Sequence, residues 1–330
     1  MMKRYKGKLV LVIGILIVAA VSYYMVYYAS DNRTDSRYRM VYIPKIKDES
    51  NDFWTSLIEG AQMAAEEYQI DLKIVAADTE DDYERQNQLI LEAIKEKPEA
   101  ILLSPSHYSE VADAAKQVKA AGIKLVLVDS DLDATIQDAL IATDNYAAGE
   151  KMGKFAVTSL IDEDTVIGIV SHVKGASTAI QRRDGLLKGL GIDAKRVVDT
   201  VYCNSDYELA YQVTTELMNK QPQINLIFGL NEYSAVGAAR AIKDMELTEQ
   251  VKLVGVDSSV EEIRLLEEGV FSAIVIQKPF VMGYLGVETA VQLLQGETTS
   301  ATVDSDSEVI TKENMYTEEN QKLLFPFWDR

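Results

Sequence analysis

The sequence predicts an α/β chain of two lobes, each built on a parallel sheet, behind an apolar N-terminal span. Three observations carry this reading. Short apolar runs alternate with amphipathic runs from residue 41 to residue 294, which is the order of βαβ units and so of parallel strands with helices on both faces. Polar residues follow several of the apolar runs, where a parallel sheet exposes its loops. Residues 9–29 carry no charge at all.

The N-terminal run, LVLVIGILIVAAVSYYMVYYA, is long enough to cross a bilayer. Lys3, Arg4, Lys6 and Lys8 precede it, which puts the N-terminus in the cytoplasm, and Tyr23, Tyr24, Tyr27 and Tyr28 suit the far interface. A cleaved signal peptide is the competing reading. The bulky tyrosines stand where small residues should mark a cleavage site, and no cysteine follows to take a lipid. The expectation is an uncleaved single-pass anchor in the cell membrane, with residues 1–37 as basic tip, anchor and linker and the rest extracellular or periplasmic.

The 330 residues suffice for two domains. The formal charge of −19, despite the basic tip, argues against nucleic acid, whose phosphates need basic partners. The single cysteine, Cys203, excludes an internal disulfide and is expected to be a small buried side chain.

After the anchor, residues 41–43 form an apolar run closed by Pro44 and suit a strand. A polar loop follows, then a helix with Leu57, Ile58, Ala61, Ala64 and Ala65 on one stripe. Asn51, Phe53 and Trp54 lie between them. The two aromatics either staple the start of the helix or offer a platform to a ligand, and the local sequence leaves both open. Next come a strand over 72–76, a helix over 83–95, a strand over 100–103, a helix over 111–121 closed by Gly122, and a strand over 124–128. A second series follows, with helices over 147–160, 179–190, 207–220, 234–245, 263–268 and 281–294. Its strands fall over 166–170, 197–202, 225–228, 252–256 and 273–276.

Asp129, Asn231, Asp257 and Gln277 each stand at the carboxyl end of a strand. Singly, such a residue is often a helix N-cap. Four together, with Asn51 and the Arg182–Arg183 pair, suit a neutral ligand rich in hydroxyls. Enzyme signatures are missing: there is no CxxC, HExxH, GxSxG or P-loop spacing, and no catalytic, cofactor or metal site is expected. Asp129, Asp131 and Asp133 imitate the start of a calcium loop, but Ala134 and Leu140 occupy the positions that need glycine and glutamate. Of the two histidines, His107 reads as a loop or cap residue, and His172 as a strand-end residue for which lining a cleft is the less favoured reading.

In series, these segments resemble the type I periplasmic binding proteins, in the ribose- and galactose-binding branch. The segments are NDFW, VLVDSD, ATDNYAAGEKMG, GASTAIQRRDGLLKGL, LIFGLNEYSAVGAARAIK, LVGVDSS and AIVIQKPFVMGYLGVE. The resemblance covers about residues 38–315. It implies two Rossmann-like lobes joined by a three-crossing hinge, with residues 38–143 plus 278–304 in the first lobe and 144–277 plus 305–330 in the second. It further implies ligand contacts at Asn51, Phe53, Trp54, Asp129, Arg182, Asn231, Asp257 and Gln277, with Arg183 a plain surface charge. Ser130 and Ser205 depart from the ribose-binding pattern, which carries an arginine and an aromatic there. The implied ligand is a sugar or related polyol, bound by a monomer with no cofactor. The implied partner is an ABC permease or a sensor histidine kinase. A LacI-type transcription regulator shares the two-lobed fold, but it needs a helix-turn-helix where this chain has its apolar span. An enzyme on the same fold would need a nucleophile–base or metal constellation that the sequence lacks.

Overall fold

Twelve strands in two separate six-stranded sheets organise the described residues, 19–24 and 38–325 of a computed structural model. The first sheet runs β11-β5-β4-β3-β1-β2 and the second β12-β10-β9-β8-β6-β7. The first uses β1 (Tyr38–Ile43), β2 (Ile70–Ile74), β3 (Ala100–Leu103), β4 (Lys124–Val128), β5 (Ala139–Ala142) and β11 (Thr302–Asp304). The second uses β6 (Ile167–Ser171), β7 (Val197–Tyr202), β8 (Leu226–Gly229), β9 (Lys252–Val256), β10 (Ala273–Ile276) and β12 (Glu308–Ile310). The pairs β1–β3, β3–β4, β4–β5 and β5–β11 are parallel, as are β7–β6, β6–β8, β8–β9 and β9–β10; β12 joins β10 antiparallel. Strands such as Ala100–Leu103 and Ala273–Ile276 are buried throughout, because helices cover both faces of a parallel sheet.

The helices are α1 (Asp52–Glu67), α2 (Tyr83–Glu96), α3 (Ala112–Ala120), α4 (Asn145–Ser159), α5 (Ser177–Leu190), α6 (Tyr207–Lys220), α7 (Glu232–Asp244), α8 (Val260–Glu268), α9 (Pro279–Leu294) and α10 (Glu318–Leu324). The chain moves from the first sheet to the second between β5 and β6 and returns after β10, when α9 packs on α1 and β4. It crosses again between β11 and β12. Two α/β lobes therefore share one continuous backbone.

Close helix pairing fixes one part of the later geometry. Gly149 on α4 lies against the Arg182 carbonyl of α5, and Gly185 on α5 against the Tyr146 carbonyl of α4, with no room for a Cβ at either place. The backbones approach so closely that Arg182 Nε reaches Asn145 Oδ1 at 2.8 Å.

Three strands and one helix escaped the sequence reading. β11 and β12 are only three residues long, too short for period-two alternation to register, and lie at sheet edges where tertiary pairing decides. The seven-residue α10 is too short to show a stripe. Among the described residues no helix is long and apolar enough to cross a membrane. The expected anchor, residues 9–29, lies outside the described residues except for residues 19–24, which are helical.

Candidate ligand-binding cleft

Two strand-end aspartates set the geometry. Asp129 follows β4 and Asp257 follows β9, and each has a positive φ, 69° and 95°. Their amides donate to the next strand, Asp129 N to Ile141 O at 2.8 Å and Asp257 N to Val275 O at 3.0 Å. A non-glycine residue in that region is uncommon and gathers at functional sites. The turns leave both carboxyl groups buried, at 3% and 5% exposure, in the wall of one cavity between the lobes.

All eight residues expected at the site line this cavity: Asn51, Phe53, Trp54 and Asp129 from the first lobe, with Arg182, Asn231, Asp257 and Gln277 from the second. The space not filled by atoms, part of it open to solvent, is about 300 Å³. Asn51 serves as the N-cap of α1, its Oδ1 accepting from Trp54 N at 3.0 Å, and its Nδ2 donates to Tyr207 OH at 3.2 Å. Asn231 caps α7 with a reciprocal capping box to Ser234. Both asparagines are thus caps and cavity residues at once. Trp54 and Phe53 pack edge to face with ring centroids 5.2 Å apart. Arg183 is partly exposed and pairs with its neighbour Asp184.

Six further residues line the cavity: Lys45, Glu80, His172, Thr178, Glu232 and Tyr233. Lys45 Nζ donates to Asp129 Oδ2 at 2.8 Å, both side chains 3% exposed, and sits 5.6 Å from the Trp54 ring centroid. Ser130 also donates to Asp129 Oδ2. Glu80 accepts from Trp54 Nε1 and, across the cleft, from Ser205 Oγ at 2.7 Å. Ser205 therefore gives its hydroxyl to Glu80, at the place where the ribose-binding pattern has an aromatic. His172 corrects the sequence reading: it is 2% exposed in the cavity wall, because it directly follows β6, and its Nε2 pairs with Thr178 Oγ1 at 2.8 Å. Burial, then the Arg182 and Lys45 charges, hold its pKa well below the usual histidine range, so the ring is neutral.

One signal could have found two of these residues. Lys45 stands two positions past β1 and His172 one past β6, so the strand-end rule that picked Asp129 and Asp257 also applies to them.

The polar groups are almost all satisfied, with two informative exceptions. Gln277 Nε2 donates to Asp257 Oδ1 at 2.6 Å, yet Gln277 Oε1 is buried without a partner, as is His172 Nδ1. Buried polar atoms are normally paired, so the two stand ready for groups of complementary polarity. Burial raises the pKa of Asp257, partly offset by the Arg182 charge, and burial likewise raises Glu80, offset in part by Lys45. Arg182 itself is held by Asn145 Oδ1 and by Leu230 O at 2.8 Å. The wall offers acceptors, fixed donors and an aromatic edge. Among the described residues no cluster of His, Cys, Asp or Glu would hold a metal ion. Cys203 is buried, its thiol pushed up to about 12 by burial, which makes it a poor nucleophile.

Comparison with known proteins agrees with the two-lobed fold. Residues 45–298 match the family described as periplasmic binding protein domain. The chain belongs to that family. It is 27% identical to the ribose import binding protein of Haemophilus influenzae, over 79% of this chain and 88% of that one. It is also 27% identical to the D-allose-binding periplasmic protein of Escherichia coli, over 76% and 83%. Among solved structures, a sugar transporter from Clostridium phytofermentans is 50% identical, with TM-score 0.80, covering 84% of this chain and all of that one. An ABC transporter solute-binding protein from Agrobacterium vitis with bound D-fucose is 28% identical, with TM-score 0.81, over 87% and 99%. The two curated relatives and the Agrobacterium vitis protein are named as binding proteins, not as enzymes.

Proposed function

We propose that this protein is an extracytoplasmic solute receptor whose ligand is a sugar or related polyol. The observation that carries the reading is convergence: Asn51, Phe53, Trp54 and Asp129 from one lobe meet Arg182, Asn231, Asp257 and Gln277 from the other around one cavity with two unpartnered polar atoms. An aromatic face lies well on the C–H face of a sugar ring, while paired carboxyl, amide and guanidinium groups bridge neighbouring hydroxyls. The names of the relatives, which bind ribose, allose and fucose, support the same ligand class. A buried polar wall rejects an analogue lacking one hydroxyl, since a stranded polar group costs about 1–3 kcal/mol.

In this proposal, residues 38–143 with 278–304 and residues 144–277 with 305–330 move as two bodies about the crossings. Ligand touches both and so shifts the population toward the closed form. The closed form engages a membrane partner, an ABC permease or a sensor histidine kinase. The charge-free run of residues 9–29 behind a basic tip supports tethering to the cell membrane with the cleft outside.

A thermal-shift screen of the purified protein against aldoses, ketoses, deoxy sugars and polyols tests the proposal. A sugar present at a hundred times its dissociation constant adds about 2.7 kcal/mol of stability. At least one pentose or hexose should produce such a shift, and Asp257→Ala or Asn231→Ala should abolish it while the variant stays folded. An undiminished shift in both variants would move the site elsewhere, and no shift with any sugar would remove the ligand class.

A further inference from the structure

Three helices begin at the mouth of the cleft, and each presents its first amides to a carboxyl group. Glu232, the first residue of α7 in the second lobe, accepts from the first amides of α1 in the first lobe: Phe53 N to Oε2 at 3.1 Å and Asp52 N to Oε1 at 3.3 Å. Asp52, the first residue of α1, returns the contact. Its Oδ2 accepts from Val260 N, the first amide of α8 in the second lobe, at 2.8 Å. Glu232 N in turn donates to Asp257 Oδ2 at 2.8 Å, which ties the exchange to a cavity residue. A helix N-terminus carries unpaired N–H groups and a partial positive charge, so an acceptor oxygen placed there satisfies amides that would otherwise lack partners.

We infer that Glu232 and Asp52 form a reciprocal latch between the lobes, each carboxyl group capping a helix of the opposite lobe, and that this latch sets the closure equilibrium by positioning the turn that carries Asn51, Phe53 and Trp54. The inference rests on the proposed reading of the cleft as one that opens and closes. Both halves of the latch break together when the lobes part, because neither carboxyl group reaches the other lobe in any other way. Glu232 is 2% exposed and its Oε1 also accepts from Tyr207 OH.

The environment of Glu232 makes the latch sensitive to pH. The charged and titratable groups facing it are Asp52 from α1, Tyr207 from α6 with the Arg240 guanidinium over its ring, Asp257 after β9, and Glu262 from α8. Burial pushes Glu232 up to about 8; Asp257 and Asp52 add to the rise, and the bonds from Tyr207 and Phe53 oppose it. Glu262 is held well above the usual range by burial, then by Glu232 and Asp257. A solvated glutamate titrates near ~4.3. Parting the lobes admits water to Glu232 and lowers its pKa from about 8 toward that value, so the closed form holds the proton more tightly than the opened one and rising pH toward about 8 favours opening.

Hydrogen exchange of the ligand-free full chain at single-amide resolution tests the latch, with Phe53 and Val260 as reporters. Glu232→Ala should speed exchange at Val260, to which Glu232 makes no hydrogen bond, by about ten- to a hundredfold, the scale of buried donors left without a partner. Asp52→Ala should do the same at Phe53. Glu232→Gln keeps an acceptor and should stay within a fewfold of the parent protein near pH 6, while losing the parent's fall in protection, corrected for intrinsic exchange, toward pH 9. Variants that each expose only their own amide would overturn the latch, and so would a Glu232→Gln profile that tracks the parent's pH dependence. Dissociation of D-ribose, D-allose or D-fucose, whichever binds, should be faster in Asp52→Ala. Failure of all three sugars to bind would count against the ligand class while leaving the amide readout intact.

Discussion

Asp129 and Asp257 occupy matching places in the two lobes, yet their electrostatics differ. Each follows a central strand, turns through a positive φ and bonds to the next strand. Asp129 has a built-in counterion, Lys45, at 2.8 Å. Asp257 has no such direct partner. It is held by the Gln277 amide and the Glu232 backbone amide, and burial raises its pKa against the more distant help of Arg182. The first lobe therefore presents a neutralised, pre-assembled wall. The second keeps an acceptor whose best partner is a donor brought from outside. A ligand hydroxyl gains more by meeting Asp257 and the open Gln277 Oε1 than by competing with Lys45 for Asp129.

The comparison breaks most sharply if the cation is removed. Lys45→Met leaves Asp129 buried without its partner and should cost about 3–5 kcal/mol in chemical denaturation at neutral pH. Adding Asp129→Asn should recover most of that loss. A neutral Lys45→Met would mean the pair does not shape the first lobe.

Asp257→Asn should behave in the opposite way, losing sugar binding while keeping or gaining stability at neutral pH. The sign follows from the raised pKa: the native state binds the proton more tightly than the unfolded chain, so the parent loses stability as pH rises above ~3.9 through the raised value. The variant should lose that part of the slope, which denaturation at a series of pH values would reveal.

Trp54→Phe tests the aromatic wall at a smaller scale. It keeps an aromatic ring, though a smaller one, and removes the Nε1 donor to buried Glu80, and should cost about 1–3 kcal/mol in stability. The smallest effect contrasts two adjacent arginines. Arg183→Ala, at a partly exposed pair with Asp184, should stay within about 0.5 kcal/mol in the same denaturation assay. Arg182 is 3% exposed and bonds two elements of the second lobe, so its loss should be felt in both folding and binding.

How much of this was legible before the fold was known depends on which rule reached which residue. Strand ends in a parallel sheet face one side, so Asp129, Asn231, Asp257 and Gln277 could be grouped from apolar runs alone. The same rule reaches His172 too, but a strand end alone does not separate a cleft-lining side chain from a satisfied core one, and Lys45 lies in a loop crowded with charges. Glu80 offered no local signal: its loop joins β2 to α2, and its role comes from Trp54 and Ser205, 26 and 125 positions away. Glu232 and Tyr233 were hidden beside Asn231, because nothing in a helix's first turn says that its carboxyl group meets a helix of the other lobe. Long-range contacts of that kind come from packing, as the glycine-mediated approach of α4 and α5 shows for Arg182.

The most direct test of convergence is a crystal structure of the protein with the sugar that gives the largest thermal shift. The account predicts a ring between the lobes beside Trp54, with hydroxyls donating to Asp257 and Gln277 Oε1 and oxygens accepting from Arg182 and Asn231. A sugar seated on one lobe alone, away from Asp257 and Asn231, would contradict it.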